Sequence, residues 1–166
     1  MRKVEKPLLF VDIDGVVSLF GFASDSRPHG TWLNVDGIVH LISGTASDHL
    51  HRLAETFDLV WCSGWEEKAE EHLPHTLALP VGRPFLSFPR NPGRADGHWK
   101  LAAIDAYAGP ARALAWIDDA HDDACRAWAA AREAPTLLVA TMPAVGLTAA
   151  HVDELNAWAA GVAGPA

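Results

Sequence analysis

Five short apolar runs, separated by helix-like patterns, constrain the fold of this chain more than any other feature. The runs are Leu8–Val11, Leu59–Cys62, Phe85–Phe88, Ala113–Ile117 and Thr136–Ala140. They are apolar throughout rather than alternating, which is typical of strands buried on both faces of a parallel sheet. Because helical patterns lie between them, we predict a three-layer, Rossmann-like α/β fold with a five-stranded parallel sheet.

Five helices are predicted from periodicity and from start and stop signals. In the first, Leu50, Leu53, Ala54 and Phe57 lie on one face. The second follows Ser63, and the third runs from near Asp96 to the stop signal Gly109–Pro110. The fourth and fifth run through the stretches "DDACRAWAAARE" and "TAAHVDELNAWAA".

One segment interrupts this alternation. In "TWLNVDGIVHLI" two β-prone runs flank Asp36–Gly37, a pair that favours a type I′ hairpin turn. The segment lies between the first strand and the first helix, where a plain βα connection needs only a short loop. We therefore predict one domain over residues 1–166, with a β-hairpin flap at about residues 18–44 and no large cap domain.

The composition limits the classes of function. An apolar fraction of 49% and a charged fraction of 20% are typical of a globular protein. The formal net charge of −8 argues against an extended nucleic-acid-binding face, which would need clustered Lys and Arg. Two cysteines, Cys62 and Cys125, form no disulfide framework.

With no targeting segment and no membrane-spanning stretch in view, we expect a soluble, cytoplasmic protein. The sequence says nothing of oligomeric state.

Polar and charged side chains follow three of the predicted strands. Asp12 and Asp14 follow the first, Ser63–Gly64 the second, and Asp118–Asp119 the fourth, while Lys100 lies in the first turn of the third helix. In an open parallel sheet, ligands bind at the carboxyl ends of the strands. A cation at the start of a helix opposes the helix dipole, which favours a functional role for Lys100. We therefore expect these side chains to form one site.

These motifs resemble those of the haloacid dehalogenase-like (HAD) phosphatases. The matching stretches are "FVDIDGVV", "LVWCSGW", "DGHWKLAAI" and "LAWIDDAHDDA", in the family's order and over about residues 8 to 125. The stretches around Ser63 and Lys100 also resemble stand-alone HAD domains named for their occurrence in multifunctional ("Swiss Army Knife") RNA-repair proteins.

The resemblance implies a Mg²⁺-dependent phosphohydrolase, with the ion bound by Asp12, by the backbone carbonyl of Asp14 and by Asp119. Asp12 would be the nucleophile that forms an aspartyl-phosphate, and Asp14 the general acid and base. Ser63 and the neighbouring amides, that of Gly64 included, would hold phosphoryl oxygens, and Lys100 would offset negative charge.

Further residues and several alternatives complete the hypothesis. Gly15 would let the backbone approach the phosphate, and Asp123 would lie behind the metal ligands. Whether Asp118 or Asp119 binds the ion directly stays open, and Ser63 with Glu66 also matches a helix capping box. The substrate would be a small nucleotide or a nucleic-acid end. The alternative is a catalytically silent module that binds phosphate or another protein.

A few residues near the motifs have two interpretations. Trp65 and Trp99 adjoin motifs and are either packing residues or platforms on which a base stacks. The loop arginines Arg83, Arg90 and Arg94 precede Lys100 and are interpreted as solvated charges, with a phosphate-binding loop as the alternative.

Overall fold

The structure, a computed structural model, describes residues 4–89 and 98–164. Within these ranges the elements in chain order are β1 (Leu8–Val11), β2 (Ser18–Leu19), β3 (Gly30–Val35), β4 (Ile38–Ser43), α1 (Ala46–Thr56), β5 (Asp58–Trp61), α2 (Glu67–Leu77), α3 (Leu101–Ala108), β6 (Leu114–Asp118), α4 (Asp123–Ala131), β7 (Thr136–Ala140) and α5 (Ala149–Val162). None of the helices in the described ranges is long and apolar enough to cross a membrane.

The central sheet has four parallel strands in the order β5-β1-β6-β7. Because side chains alternate between the faces of a strand, each apolar run feeds two cores. Leu9 and Val11 point into one core with α1, α2 and α5, whereas Leu8 and Phe10 point into a second core with α3 and α4. Helices thus cover both faces, as the prediction of a three-layer α/β fold requires.

The predicted fifth strand at Phe85–Phe88 is wrong. This segment makes a single parallel bridge, between Phe85 and Trp61, through Trp61 N–H to Pro84 O and Leu86 N–H to Trp61 O. Trp61 is the last residue of β5, so the residues after Phe85 run past the end of the neighbouring strand and have no ladder to join. The segment lines the edge of a four-stranded sheet instead.

The predicted hairpin is confirmed as part of a small antiparallel sheet with the order β2-β4-β3. Its two-residue turn has positive φ at both central residues, 51° at Asp36 and 86° at Gly37, as a type I′ turn requires. At the turn the Asp36 carboxylate pairs with Lys68 of α2. The flap therefore lies against the start of α2, next to the carboxyl edge of the central sheet.

The third helix, α3, begins at Leu101, which is later in the chain than its predicted start near Asp96. Asp96 lies outside the described residues, and α3 begins directly after Lys100, which is its N-cap residue. Its end at Gly109 agrees with the predicted stop signal, since Gly109 has a φ of 69°.

Candidate active site

The predicted site residues meet at the carboxyl edge of the central sheet, where they line a cavity of about 240 Å³. β1, β5 and β6 end at this edge, and the N-terminus of α3 faces it. The lining residues are Asp12, Asp14, Ser63, Gly64, His98, Trp99, Lys100, Asp118, Asp119 and Ala120. The flap contributes contacts to Asp14 from the side.

Lys100 joins two of the carboxylates. Its Nζ lies 2.6 Å from Asp118 Oδ2 and 3.0 Å from Asp12 Oδ1, and all three side chains are buried. Burying an ammonium group is unfavourable unless carboxylates offset its charge, so this position explains why a lysine can stand at the start of a helix. Burial lowers the pKa of Lys100, but the two carboxylates outweigh it and the net shift is upward.

The two carboxylates share one ammonium unequally. Burial raises the pKa of Asp12 to about 8, Lys100 opposes that rise, and the charge of Asp118 adds to it. Burial acts in the same direction on Asp118, but Lys100 and the Ala120 N–H outweigh it and the pKa of Asp118 is lowered. Asp118 has the shorter contact to Lys100, so it carries the stable negative charge of the pair.

Asp118 and Asp119 differ in what their oxygens contact. Both Asp118 oxygens are engaged, Oδ2 by Lys100 and Oδ1 by the backbone N–H of Ala120 at 2.9 Å. Asp119 is half-buried, and burial raises the pKa of its carboxyl group. Its position leaves its oxygens directed toward the loop that follows β1.

Three carboxylates could hold a cation at this edge. One oxygen each from Asp12, Asp118 and Asp119 lies within 4.8 Å of the others. Carboxylate oxygens are the donors that Mg²⁺ prefers, so the chemistry of this donor set fits that ion. Because Asp118 already accepts two hydrogen bonds, Asp12 and Asp119 are the better placed of the three to bind it directly.

Gly15 is required by the packing of Asp119. Its φ is +83°, and a Cβ at this position would lie 2.5 Å from Asp119 Oδ2 and 2.8 Å from Asp119 Cβ. The Thr141 hydroxyl donates to Gly15 O at 2.8 Å, which fixes the loop from the end of β7. A larger residue would displace the Asp119 carboxylate from the neighbourhood of Asp12.

The Asp14 carboxylate contacts two side chains that were not predicted to lie beside it. Trp65 Nε1 donates to both Asp14 oxygens at 3.3 Å, and His40 Nδ1 of the flap lies 3.7 Å from Asp14 Oδ1. The position of Trp65, two residues after Ser63, was a signal for the first contact. The second depends on how β4 pairs with β2, which no local pattern specifies.

Ser63 lines the cavity, but not as part of a capping box. Its hydroxyl accepts from Trp65 N–H at 3.2 Å, and α2 begins later, with Glu66 as the N-cap residue. The Glu66 carboxylate instead accepts from Phe88 N–H at 2.9 Å. A Cβ at Gly64 would meet only Trp99, at an ordinary 3.9 Å, so packing does not demand glycine there.

Asp123 is not brought into the site. Its side chain is fully exposed and pairs with Arg126 one turn along α4. The residue that organises this helix start is Asp122, whose carboxylate accepts from Cys125 N–H at 3.0 Å as an N-cap. The acidic cluster that begins at the last residue of β6 therefore splits into two site residues, Asp118 and Asp119, and two helix-start residues, Asp122 and Asp123.

An aromatic surface borders the cavity. Trp99 is 44% exposed, Phe88 contacts it edge-on at 4.7 Å, and Lys100 Nζ lies 5.1 Å from its ring centroid. Of the loop arginines, Arg90 and Arg94 lie outside the described residues. Arg83 lines a different cavity with Leu8 and Asp58, where strands β1 and β5 begin, so it does not reach this site.

The fold and the site together define the class of this protein, the HAD-like superfamily. The class is recognised by a parallel sheet whose carboxyl edge holds an Asp pair after β1, a lysine from the start of a helix and acidic residues at the end of β6. Its members are generally hydrolases that act on phosphate esters, and they typically use a metal. The family described as the HAD domain in Swiss Army Knife RNA repair proteins matches residues 8–152, and this chain belongs to that family. A comparison with curated proteins finds no match.

Proposed function

We propose that this protein is a Mg²⁺-dependent phosphomonoester phosphatase that works through an aspartyl-phosphate on Asp12. The observation that carries the proposal is the arrangement of Asp12, with Lys100 at 3.0 Å and Asp119 beside it, at the edge of one cavity. A nucleophilic carboxylate must approach an anionic phosphate ester, so it needs positive charge beside it. Lys100 supplies one such charge from a buried position.

When bound, Mg²⁺ would be held by Asp12, Asp119 and the backbone carbonyl of Asp14, and it would offset negative charge on the phosphoryl group. Binding of the cation would also favour the ionised form of Asp12, whose pKa burial raises to about 8.

The reaction would proceed in two displacements. In the first, an Asp12 carboxylate oxygen forms a bond to phosphorus, the bond from phosphorus to the ester oxygen breaks, and Asp14 gives its proton to that oxygen. In the second, water attacks the phosphorus, Asp14 takes the water proton, and the bond to Asp12 breaks to release inorganic phosphate. Two displacements replace one difficult step, and the acid and base role is worth about 10²–10⁴-fold in rate.

The other residues would orient the phosphoryl group. Ser63 and the backbone amides around Gly64 face the cavity at the turn before α2, where they would donate to phosphoryl oxygens. Lys100 stays between Asp12 and Asp118 and so keeps its charge at the reacting centre.

A nucleotide or a nucleic-acid end is the proposed substrate. Two features support it: the exposed ring of Trp99 at the rim of the cavity, on which a base would stack, and the description of the family as part of RNA repair proteins. The net charge of −8 favours a short or terminal substrate over a long nucleic-acid tract. The free, buried thiols of Cys62 and Cys125 support a cytoplasmic location as part of the proposal.

The test is phosphate release from 4-nitrophenyl phosphate, nucleoside monophosphates and 5′- and 3′-phosphorylated oligonucleotides, with Mg²⁺ and with EDTA. Wild type should release phosphate only with Mg²⁺, and Asp12→Asn should release none while it remains folded and unfolds in one cooperative transition. The matched control is Asp48→Asn, the same change at an exposed carboxylate of α1, which should behave as wild type. Undiminished release by Asp12→Asn, or by the EDTA-treated protein, would overturn the proposal. Stabilisation by Mg²⁺ without turnover would point to the phosphate-binding module.

A further inference from the structure

The proposed general acid is held by a buried ring. Asp14 is half exposed, with 53% of its side chain open to solvent, whereas Trp65 is 9% exposed. The Trp65 Nε1–H group lies 3.3 Å from each Asp14 oxygen and so bridges the whole carboxylate. A half-exposed carboxylate would otherwise rotate between several rotamers.

The flap reaches the same carboxylate through His40 of β4. The rings of His40 and Trp65 lie 4.6 Å apart at 57°, and His40 Nδ1 lies 3.7 Å from Asp14 Oδ1. The Ser18 hydroxyl of β2 lies 3.0 Å from the same Nδ1. Two strands of the flap thus fix the His40 ring between Trp65 and Asp14.

The chemistry of the indole group suits this position. An indole N–H donates a hydrogen bond but has no acceptor, so it cannot take the proton that Asp14 must deliver. It can orient the carboxyl group without competing with the leaving oxygen. Proton transfer depends steeply on such orientation, and a small misplacement of a catalytic group is costly in rate.

We infer that Trp65 is a positioning residue for Asp14, and that His40 couples the flap to this contact, so that the flap controls proton transfer to the leaving group. The inference rests on the proposed function and concerns the proton transfer by Asp14, not the attack on phosphorus by Asp12. Attack by Asp12 is separate from it, because in the described part of the chain the side-chain hydrogen bonds and ion pairs of Lys100 go to Asp12 and Asp118, whereas those of the two rings go to Asp14 and Ser18.

Trp65→Phe tests the inference, because it removes the N–H group and keeps most of the ring. The substrates are 4-nitrophenyl phosphate, whose leaving group needs no proton, and 2-phenylethyl phosphate, whose leaving group does. Trp65→Phe should lose about tenfold in kcat/KM on the alkyl ester and less than about threefold on the aryl ester, a part of the whole acid contribution. The readout is kcat/KM because it covers the steps up to release of the leaving group and leaves out the hydrolysis of the aspartyl-phosphate, which both esters share. Asp14→Asn should show the same selectivity, and adding Trp65→Phe to it should cause no further loss on the alkyl ester.

The chain offers a matched control in Trp128. Its Nε1 donates at 3.3 Å to Asp105, away from the cavity, so Trp128→Phe deletes a similar hydrogen bond and should leave both rates unchanged. His40→Phe is a second variant, which keeps a ring against Trp65; it should shift the same ratio of rates by about threefold.

The outcomes separate the inference from the proposed function. If wild type hydrolyses neither ester, the proposed function fails. If wild type is active but Trp65→Phe and His40→Phe slow both esters equally, or neither, the inference is wrong and Trp65 has only a packing role. Additive losses in the double variant would overturn it as well.

Discussion

Lys100 Nζ lies 2.6 Å from Asp118 Oδ2 in the buried edge of the sheet, and the same nitrogen also reaches Asp12. One ammonium thus serves two carboxylates that come from different strands. Without it, two negative charges would stand close together with little water around them. The position of the lysine therefore stabilises this edge of the sheet, in addition to its role in the proposed reaction.

Lys100→Met should destabilise the cation-free protein by about 3 kcal/mol at pH 9, because it leaves two buried carboxylates without a partner. The loss should shrink toward pH 5, where the carboxyl groups can protonate. Urea denaturation at both pH values measures it. Lys68→Met is the matched control, since Lys68 pairs with Asp36 on the surface, and it should change the stability little. An equally small effect at Lys100 would mean that the buried pairs are not needed for folding.

The raised pKa of Asp12 predicts a pH-dependent stability. Burial raises this pKa from 3.8 to about 8, so between these values the folded state binds a proton that the unfolded state has lost. The contribution of Asp12 to stability is therefore full below about pH 4 and is lost as the pH rises toward 8, by up to about 1.4 kcal/mol per pH unit.

The measurement for this prediction is the free energy of unfolding of wild type minus that of Asp12→Asn, from pH 5 to 9 in EDTA. The difference should fall with pH and level off above about 8. In saturating Mg²⁺ the fall should disappear, because the cation favours the ionised carboxylate. A difference that does not vary with pH would show that Asp12 titrates normally.

Gly15→Ala should weaken Mg²⁺ binding at least tenfold, because the new Cβ would occupy the space of the Asp119 carboxylate. The readout is the Mg²⁺ concentration that gives half of the rise in melting temperature. Gly21→Ala is the control: Gly21 also has a positive φ, 77°, but a Cβ there would meet nothing within 4 Å. Gly21→Ala should therefore show only the destabilisation that comes from backbone strain, and its Mg²⁺ affinity should equal that of wild type. Equal affinities in the two variants would separate Asp119 from the cation site.

Trp99→Ala should reduce the preference for aromatic leaving groups. The paired substrates are 2-phenylethyl and 2-cyclohexylethyl phosphate, which differ in the aromaticity of the ring but hardly in leaving-group basicity or size. Stacking is worth about 1–3 kcal/mol, so the ratio of the two kcat/KM values should fall about tenfold. Trp32→Ala, at a tryptophan of similar exposure that does not line the cavity, should leave the ratio unchanged. A constant ratio in Trp99→Ala would remove Trp99 from substrate binding.

Much of the fold could be predicted because local patterns specified it. The strands that became β1, β5, β6 and β7 are apolar on both faces, and the turn at Asp36–Gly37 needs two residues that tolerate positive φ. Phe85–Phe88 has the same apolar character, but strand formation also requires a neighbour of matching length, and β5 ends at Trp61. Composition alone does not specify that register.

In the site, too, local patterns could predict some residues, whereas contacts that depend on strand pairing could not be predicted. Lys100 could be singled out because it breaks a local preference at a helix start, and the structure places it beside Asp12. The contact between His40 and Asp14 could not be foreseen, because it depends on the pairing of two flap strands far apart in the chain. The resemblance to the HAD phosphatases predicts Asp123 behind the metal ligands, whereas α4 turns its side chain to solvent.

The charges around Lys100 also imply an order of events. When ionised, Asp12, Asp118 and Asp119 outnumber the single ammonium of Lys100, so these four side chains together carry an excess of two negative charges, before the charge of Asp14 is counted. A phosphate dianion entering this field is repelled, whereas one divalent cation would cancel the excess. On the proposed function, cation and ester therefore bind in sequence, the cation first. By thermodynamic linkage, binding of the cation increases the affinity for the ester and binding of the ester increases the affinity for the cation. The apparent KM for the ester should therefore depend on the cation concentration.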